Sequence, residues 1–291
     1  MSAFANDAST KAKVLADLGD NPATILAPTQ SQDDLVAWAE EHALSPAFWL
    51  LACNLSKDDE RFTPAVVADI LAAVPIGADL DHAVYRWILW VLRPIVGRWN
   101  AVEAHAVLAQ AAAPLMTVLE RAAQGETIVR RDWRAALGPL ADAAAAFEDQ
   151  FAYASVIQAA AWDLKMMPAA ILDVLSSWDW ATSVDPELRT SWWSAEFQHE
   201  LQKLMEDEHA AALESAGPQP SKEDGEAMAV WQKRYGDAIM PLREKNKTLP
   251  VMLKMEAGMK IMREQKAERL GRAVEALKDF AIRAAADTVD A

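Results

Sequence analysis

Apolar residues recur along this chain at steps of three and four, the spacing that keeps side chains on one face of an α-helix. The pattern is longest near the end, where Met252, Met255, Met259, Met262, Lys266, Leu270, Ala273, Leu277, Phe280 and Ala284 share a single face. Thr248 and Pro250 can cap and open this helix, and the periodicity carries it to about Ala286, about 55 Å at the standard rise. Its steps read as heptads on both sides of one extra step of four at Lys266, a stutter that locally unwinds a supercoiled seam.

Upstream, capping residues mark further helix starts. Ser31 with Asp34 makes a capping-box start for residues 33–42, with the carboxylate in the usual glutamate position. Ser45 before Pro46 and Thr63 before Pro64 each place an N-cap ahead of a first-turn proline, opening helices to about Leu55 and Ala73. Helical segments follow at residues 79–98, 101–123, 132–147, 151–165 and 168–178. From Asp185 a longer helix carries Trp193, Phe197, Leu201, Leu204 and Met205 on one stripe, and after a break another carries Met228, Trp231, Tyr235, Ile239 and Leu242. The expected fold is all-α: a multi-helix bundle or irregular helical array with a long C-terminal helix. Residues 1–30 read as a flexible N-terminal segment, 31–214 as a helical domain, 215–226 as a loop or hinge, and 227–291 as a C-terminal helical region ending in the seam helix.

Composition sharpens this picture. The 291 residues are 52% hydrophobic, with only 10 glycines and 14 prolines, enough for a sizeable core and poor in hairpin turns. A net charge of −15 repels phosphate backbones and anionic lipid, so no nucleic-acid partner is expected. From Asp58 to Asp163 every basic residue is arginine, whereas lysine and arginine mix from Lys222 onward, which marks a second region. The single cysteine, Cys53, lies in an apolar run and reads as a core thiol in a reducing compartment. Residues 1–20 lack a signal-peptide pattern, and the most apolar stretch, 83–96, is interrupted by Arg86, Arg93 and Pro94, so neither export nor membrane insertion is expected. The expected location is cytoplasmic.

The seam can close the protein's own core or meet another chain. Its length favours the second, since it would overhang a compact domain whose radius is about 17 Å. Met252, Met255, Met259, Met262, Lys266 and Leu270 are therefore the candidate partner-binding residues, methionine being suited to adaptable surfaces and a lone lysine to fixing register. The expected function is a non-enzymatic protein–protein interaction module, an adaptor, inhibitor or assembly factor, that binds a protein partner or itself and needs no cofactor.

The alternative is an all-helical ligand binder or enzyme. Arg86, Trp90 and Arg93 are spaced to share a helix face and could hold a carboxylate or phosphate; Arg130, Arg131 and Arg134 surround Trp133 in a similar way. Glu196 with His199 and Glu206 with His209 repeat the Glu-x-x-His spacing of carboxylate-bridged metal sites, but from what reads as one helix rather than two. His42, His82 and His105 are isolated, and residues 58–62 form an acidic turn without a metal-binding spacing. No dinucleotide fingerprint, phosphate loop, nucleophile elbow or His-Glu-x-x-His motif occurs. Trp38, Trp49, Trp162 and Trp178 are expected in the core.

Overall fold

Ser31 and Asp34 close a reciprocal capping box, each side chain accepting from the other's backbone N–H. The helix they start is one of twelve α-helices in the computed structural model, which describes residues 2–20, 31–55, 64–185 and 192–289. These are α1 (Ala8–Asp20), α2 (Gln32–Glu41), α3 (Pro46–Leu55), α4 (Pro64–Ala73), α5 (Leu80–Ala101), α6 (Ala106–Ala123), α7 (Arg130–Ala144), α8 (Phe151–Ala159), α9 (Ala170–Val184), α10 (Ala195–Ala216), α11 (Gly225–Asn246) and α12 (Pro250–Val289). Among the described residues there is no strand beyond an isolated bridge between Ser2 and Asp79, so the fold is all-α with a long C-terminal helix. No single helix among them is long and apolar enough to cross a membrane.

The chain divides into two compact units, Met1–Ser183 with Lys266–Ala291, and Val184–Gln265. The second is thus an insertion into the first, and α12 begins in one and ends in the other. The loop expected within 215–226 is present as the turn at 217–224 of an antiparallel hairpin between α10 and α11: Gly217 adopts φ +78° after the last turn of α10, and Trp231 Nε1 donates to its carbonyl at 2.9 Å. The units do not divide there: the boundaries lie between Ser183 and Val184, in the last turn of α9, and between Gln265 and Lys266 inside α12, where the heptad pattern stutters.

In the first unit consecutive helices pack on one another, α5 on α6, α6 on α7 and α2 on α3. Phe4, Trp49, Trp87 and Trp99 are fully buried. Residues 2–20 depart from the expected flexible segment. Ala3 donates to Ala78 O at 2.9 Å and Phe4 to Ala43 O at 3.1 Å, and Val14 and Leu18 of α1 are core residues, because a short apolar stripe is enough to dock the segment. Residues 21–30 and the expected caps and turn at 56–63 lie outside the described residues. The expected single helix over 101–123 is broken, a 3-10 turn at Glu103–His105 bending the chain by 119° between α5 and α6. The expected helix from Asp185 starts at Ala195, where Ser194 caps it by accepting from Phe197 N–H. Cys53, Trp49 and Trp178 are buried as expected, but Trp162 is exposed, because α8 stops at Ala159 and leaves it in the following turn.

In the second unit the core is small: Trp192, Phe197 and Leu201, with Trp193, Val251, Met252, Met255 and Met262 packed against them. Gly258 makes this packing possible. A Cβ there would lie 2.2 Å from ring atoms of the buried Trp192, whereas a Cβ at Gly271 on the same helix meets nothing within 4 Å. Alanine gains about 1 kcal/mol of helix propensity over glycine, and overpacking a core costs about 1–3 kcal/mol. Gly271→Ala is therefore expected to raise the urea midpoint, and Gly258→Ala, at the upper end of that overpacking cost, to lower stability by up to about 2 kcal/mol net of the same gain in propensity. Equal stabilisation by both would show that Trp192 does not sit against α12.

Candidate functional site

The seam helix does not present the surface expected of it. Met252, Met255 and Met262 are half-buried against the second unit's own Trp192, Phe197 and Leu201, and only Met259 of the four methionines is exposed. Past the unit boundary Leu270, Ala273, Leu277 and Ala284 are buried in the first unit. Lys266 reaches Asp179 at 3.0 Å. The helix packs its seam within the second unit at one end and within the first at the other, and of the six residues expected to bind a partner Met259 alone is left exposed.

The Glu-x-x-His pairs are also not brought together. Glu196, His199, Glu206 and His209 are exposed along α10, and His209 Nδ1 lies 2.8 Å from the hydroxyl of Tyr235 on α11. Among the described residues no group of three potential ligands converges on one point. One helix cannot aim both pairs at a single ion, which corrects the metal-site expectation for these four residues.

That same stretch of α10 instead forms one wall of a groove. Trp193, Leu201, Met205, Tyr235 and Ile239 give it an apolar lining of about 550 Å³, with Glu206, His209 and Arg243 at its rim. Two elements hold it open. His209 and Tyr235 pack edge to face, and Tyr235 stacks on Trp231 with ring centroids 5.4 Å apart. Below them Glu208 is buried, accepting from Asn246 Nδ2 at 2.9 Å and lying 3.8 Å from Arg243 Nε. Met205 stays 55% exposed, although the sequence places it on the same stripe as the buried Phe197 and Leu201. Glu196, Glu200, Asp207 and Glu214 are exposed on the opposite face of α10, so among the exposed carboxylates of that helix Glu206 alone stands at the groove.

Arg86, Trp90 and Arg93 do share a face, and they line a second concavity, of about 740 Å³, in the first unit. Two residues that the local pattern could not associate with them, Phe280 and Arg283, complete it from α12, with Glu120 of α6 and Gln124 just past its end. The second expected arginine group is dispersed: Trp133 is buried, while Arg130, Arg131 and Arg134 point outward on an exposed face of α7.

Comparison with known proteins finds no matching family model, no similar curated protein and no similar solved structure. The geometry of the two concavities is therefore what bears on function.

Proposed function

We propose that the protein is a non-enzymatic protein-binding module whose second unit receives a basic amphipathic helix of a partner in the groove between α10 and α11. The observation that supports this is Met205, more than half exposed beside Trp193, Leu201 and Ile239 in an apolar groove with Glu206 at its rim. Helix-in-groove recognition needs an apolar channel with adaptable side chains, and methionine supplies the adaptability. Met240, Leu253, Met259 and Ile261 extend the exposed apolar surface of this unit. The chain's net charge of −15 favours a visitor of positive charge. A second copy carries the same net charge, so a basic helix is the better occupant.

The test uses a labelled peptide of about 18 residues, five helical turns, with leucine on one face and lysine on the other. Fluorescence anisotropy with the full chain is expected to give saturable binding of roughly micromolar affinity that weakens with salt. Met205→Asp is expected to weaken it roughly tenfold or more, and a peptide with glutamate in place of lysine to bind far less well. Equal binding of the two peptides, or of wild type and variant, would refute the proposal.

A further inference from the structure

We infer that residues 2–6 are a strained latch, which closes on the first unit through Phe4 and opens from it while α1 stays in place. The backbone carries the first sign. Phe4, Ala5 and Asn6 stand consecutively at φ 58°, 51° and 60°, the left-handed region that a side chain disfavours. Ala43, whose carbonyl accepts from Phe4 N–H, stands at 52°. No other non-glycine residue among the described ones has a positive φ, so the strained backbone is gathered at a single junction. Strain of this kind persists only where neighbouring contacts hold it, and it collects at switches and clamps.

The holding contacts are those of the segment itself. The Phe4 ring is fully buried, with Lys11 Nζ 5.7 Å from its centroid. Ala3 N–H donates to Ala78 O at 2.9 Å, Phe4 N–H to Ala43 O at 3.1 Å, and Gly77 N–H to Ala3 O at 3.1 Å. Gly77 lets Asn6 approach, since a Cβ there would lie 2.7 Å from Asn6 Oδ1. The helix that follows is fastened separately. Asp7 opens it by accepting from the N–H groups of Ser9 and Thr10 at 3.2 and 3.0 Å. Lys11 Nζ donates to the carbonyls of Ala72 and Val74 at 2.8 and 2.7 Å, and Val14 and Leu18 are buried in the core. The positive φ values end at Asn6, so strain opposes the hold of the latch and not that of α1. A segment held in this way opens locally, at less cost than unfolding the unit. Opening bares the seat of a phenylalanine ring beside Asp79, the residue that pairs with Ser2 and caps α5.

Amide hydrogen exchange of the full chain, resolved by NMR, tests this. The amides of Ala3, Phe4 and Gly77 are expected to share one protection factor. It should lie at least about 100-fold below that of Trp87 and Ile88 inside α5, and at least about tenfold below that of Val14 and Leu18 in α1. Ala5 is exposed, so a substitution there changes backbone preference without removing a core contact. Ala5→Gly is expected to raise the protection of the three amides about fivefold, because glycine enters the left-handed region freely. Ala5→Val is expected to lower it about tenfold, because a β-branched side chain does not. Phe4→Ala is expected to lower protection at Ala3 and Gly77 about tenfold or more while Val14 and Leu18 stay protected. Protection equal to that in α5, exchange in step with Val14 and Leu18, or an Ala5→Gly chain no better protected than wild type would each overturn the inference.

Discussion

Trp87→Ala is expected to destabilise the first unit by about 3–5 kcal/mol, the cost of emptying a fully enclosed indole site in a core. Trp87 has no exposed surface and stands edge-on to Trp178 of α9 at 5.9 Å. Its Nε1 donates to the carbonyl of Ala273 on α12 at 3.1 Å, so one side chain of α5 holds both the ninth helix and the last. Alanine removes the packing on α9 and the bond to α12 together, and the surrounding helices are too well fixed to collapse into the space. Trp87→Phe keeps most of the volume and loses the N–H, so it is expected to cost about 1–2 kcal/mol. Urea unfolding followed by circular dichroism checks both; a loss below about 1 kcal/mol for the alanine variant would mean that α12 is not seated on α5 as described.

The reason α12 can be read so clearly in the sequence, and yet be misread, lies in what periodicity encodes. Steps of three and four locate a buried face but not what buries it. The same ten positions meet Trp192 and Phe197 at one end and the first unit's core at the other. The stutter at Lys266 was the local trace of that change of partner, since the helix needs no continuous supercoil across a boundary where its packing environment changes. Capping chemistry was equally legible: Ser31 with Asp34 and Ser45 ahead of Pro46 act where their sequence places them, Ser45 Oγ accepting from Phe48 N–H at 3.3 Å and donating to Asp81 at 2.6 Å.

The two concavities were half legible for one shared reason. Residues on one helix reveal their common face, as Arg86, Trp90 and Arg93 do. The residues that turn a face into a cleft come from elsewhere: Phe280 and Arg283 for the arginine cleft, and Tyr235 and Ile239 for the groove beside Met205. Nothing local ties those positions together. The Glu-x-x-His pairs failed in the opposite direction, because a chemically suggestive spacing repeated on one helix has no second wall to complete it.

Asp179→Ala is expected to cost about 2–3 kcal/mol. One carboxylate oxygen accepts from Arg269 Nη2 at 2.9 Å and the other from Lys266 Nζ at 3.0 Å. Arg269 is 13% exposed, lies over the Trp178 ring at 5.6 Å, and its buried Nε finds no acceptor among the described residues. Burial pulls its guanidinium below the usual arginine range, and the Asp179 carboxylate opposes that pull. Removing the carboxylate leaves a largely desolvated cation with a π-face and no counter-charge, which costs more than the lost bonds themselves. Asp69 offers the contrast: its contact with Lys278 is short, at 2.7 Å, but its side chain is 63% exposed, so Asp69→Ala is expected to change stability by less than about 0.5 kcal/mol. The position of Asp179 adds a second consequence. It lies on α9 shortly before the chain leaves the first unit, and Lys266 is the residue at which the chain returns. A single carboxylate therefore fastens the two ends of the insertion to one another within the first unit. Asp179→Ala is expected to raise amide hydrogen exchange at the end of α9 and around Lys266 before it affects α5 or α6, and uniform protection loss across the whole unit would show that the ion pair has no such local role.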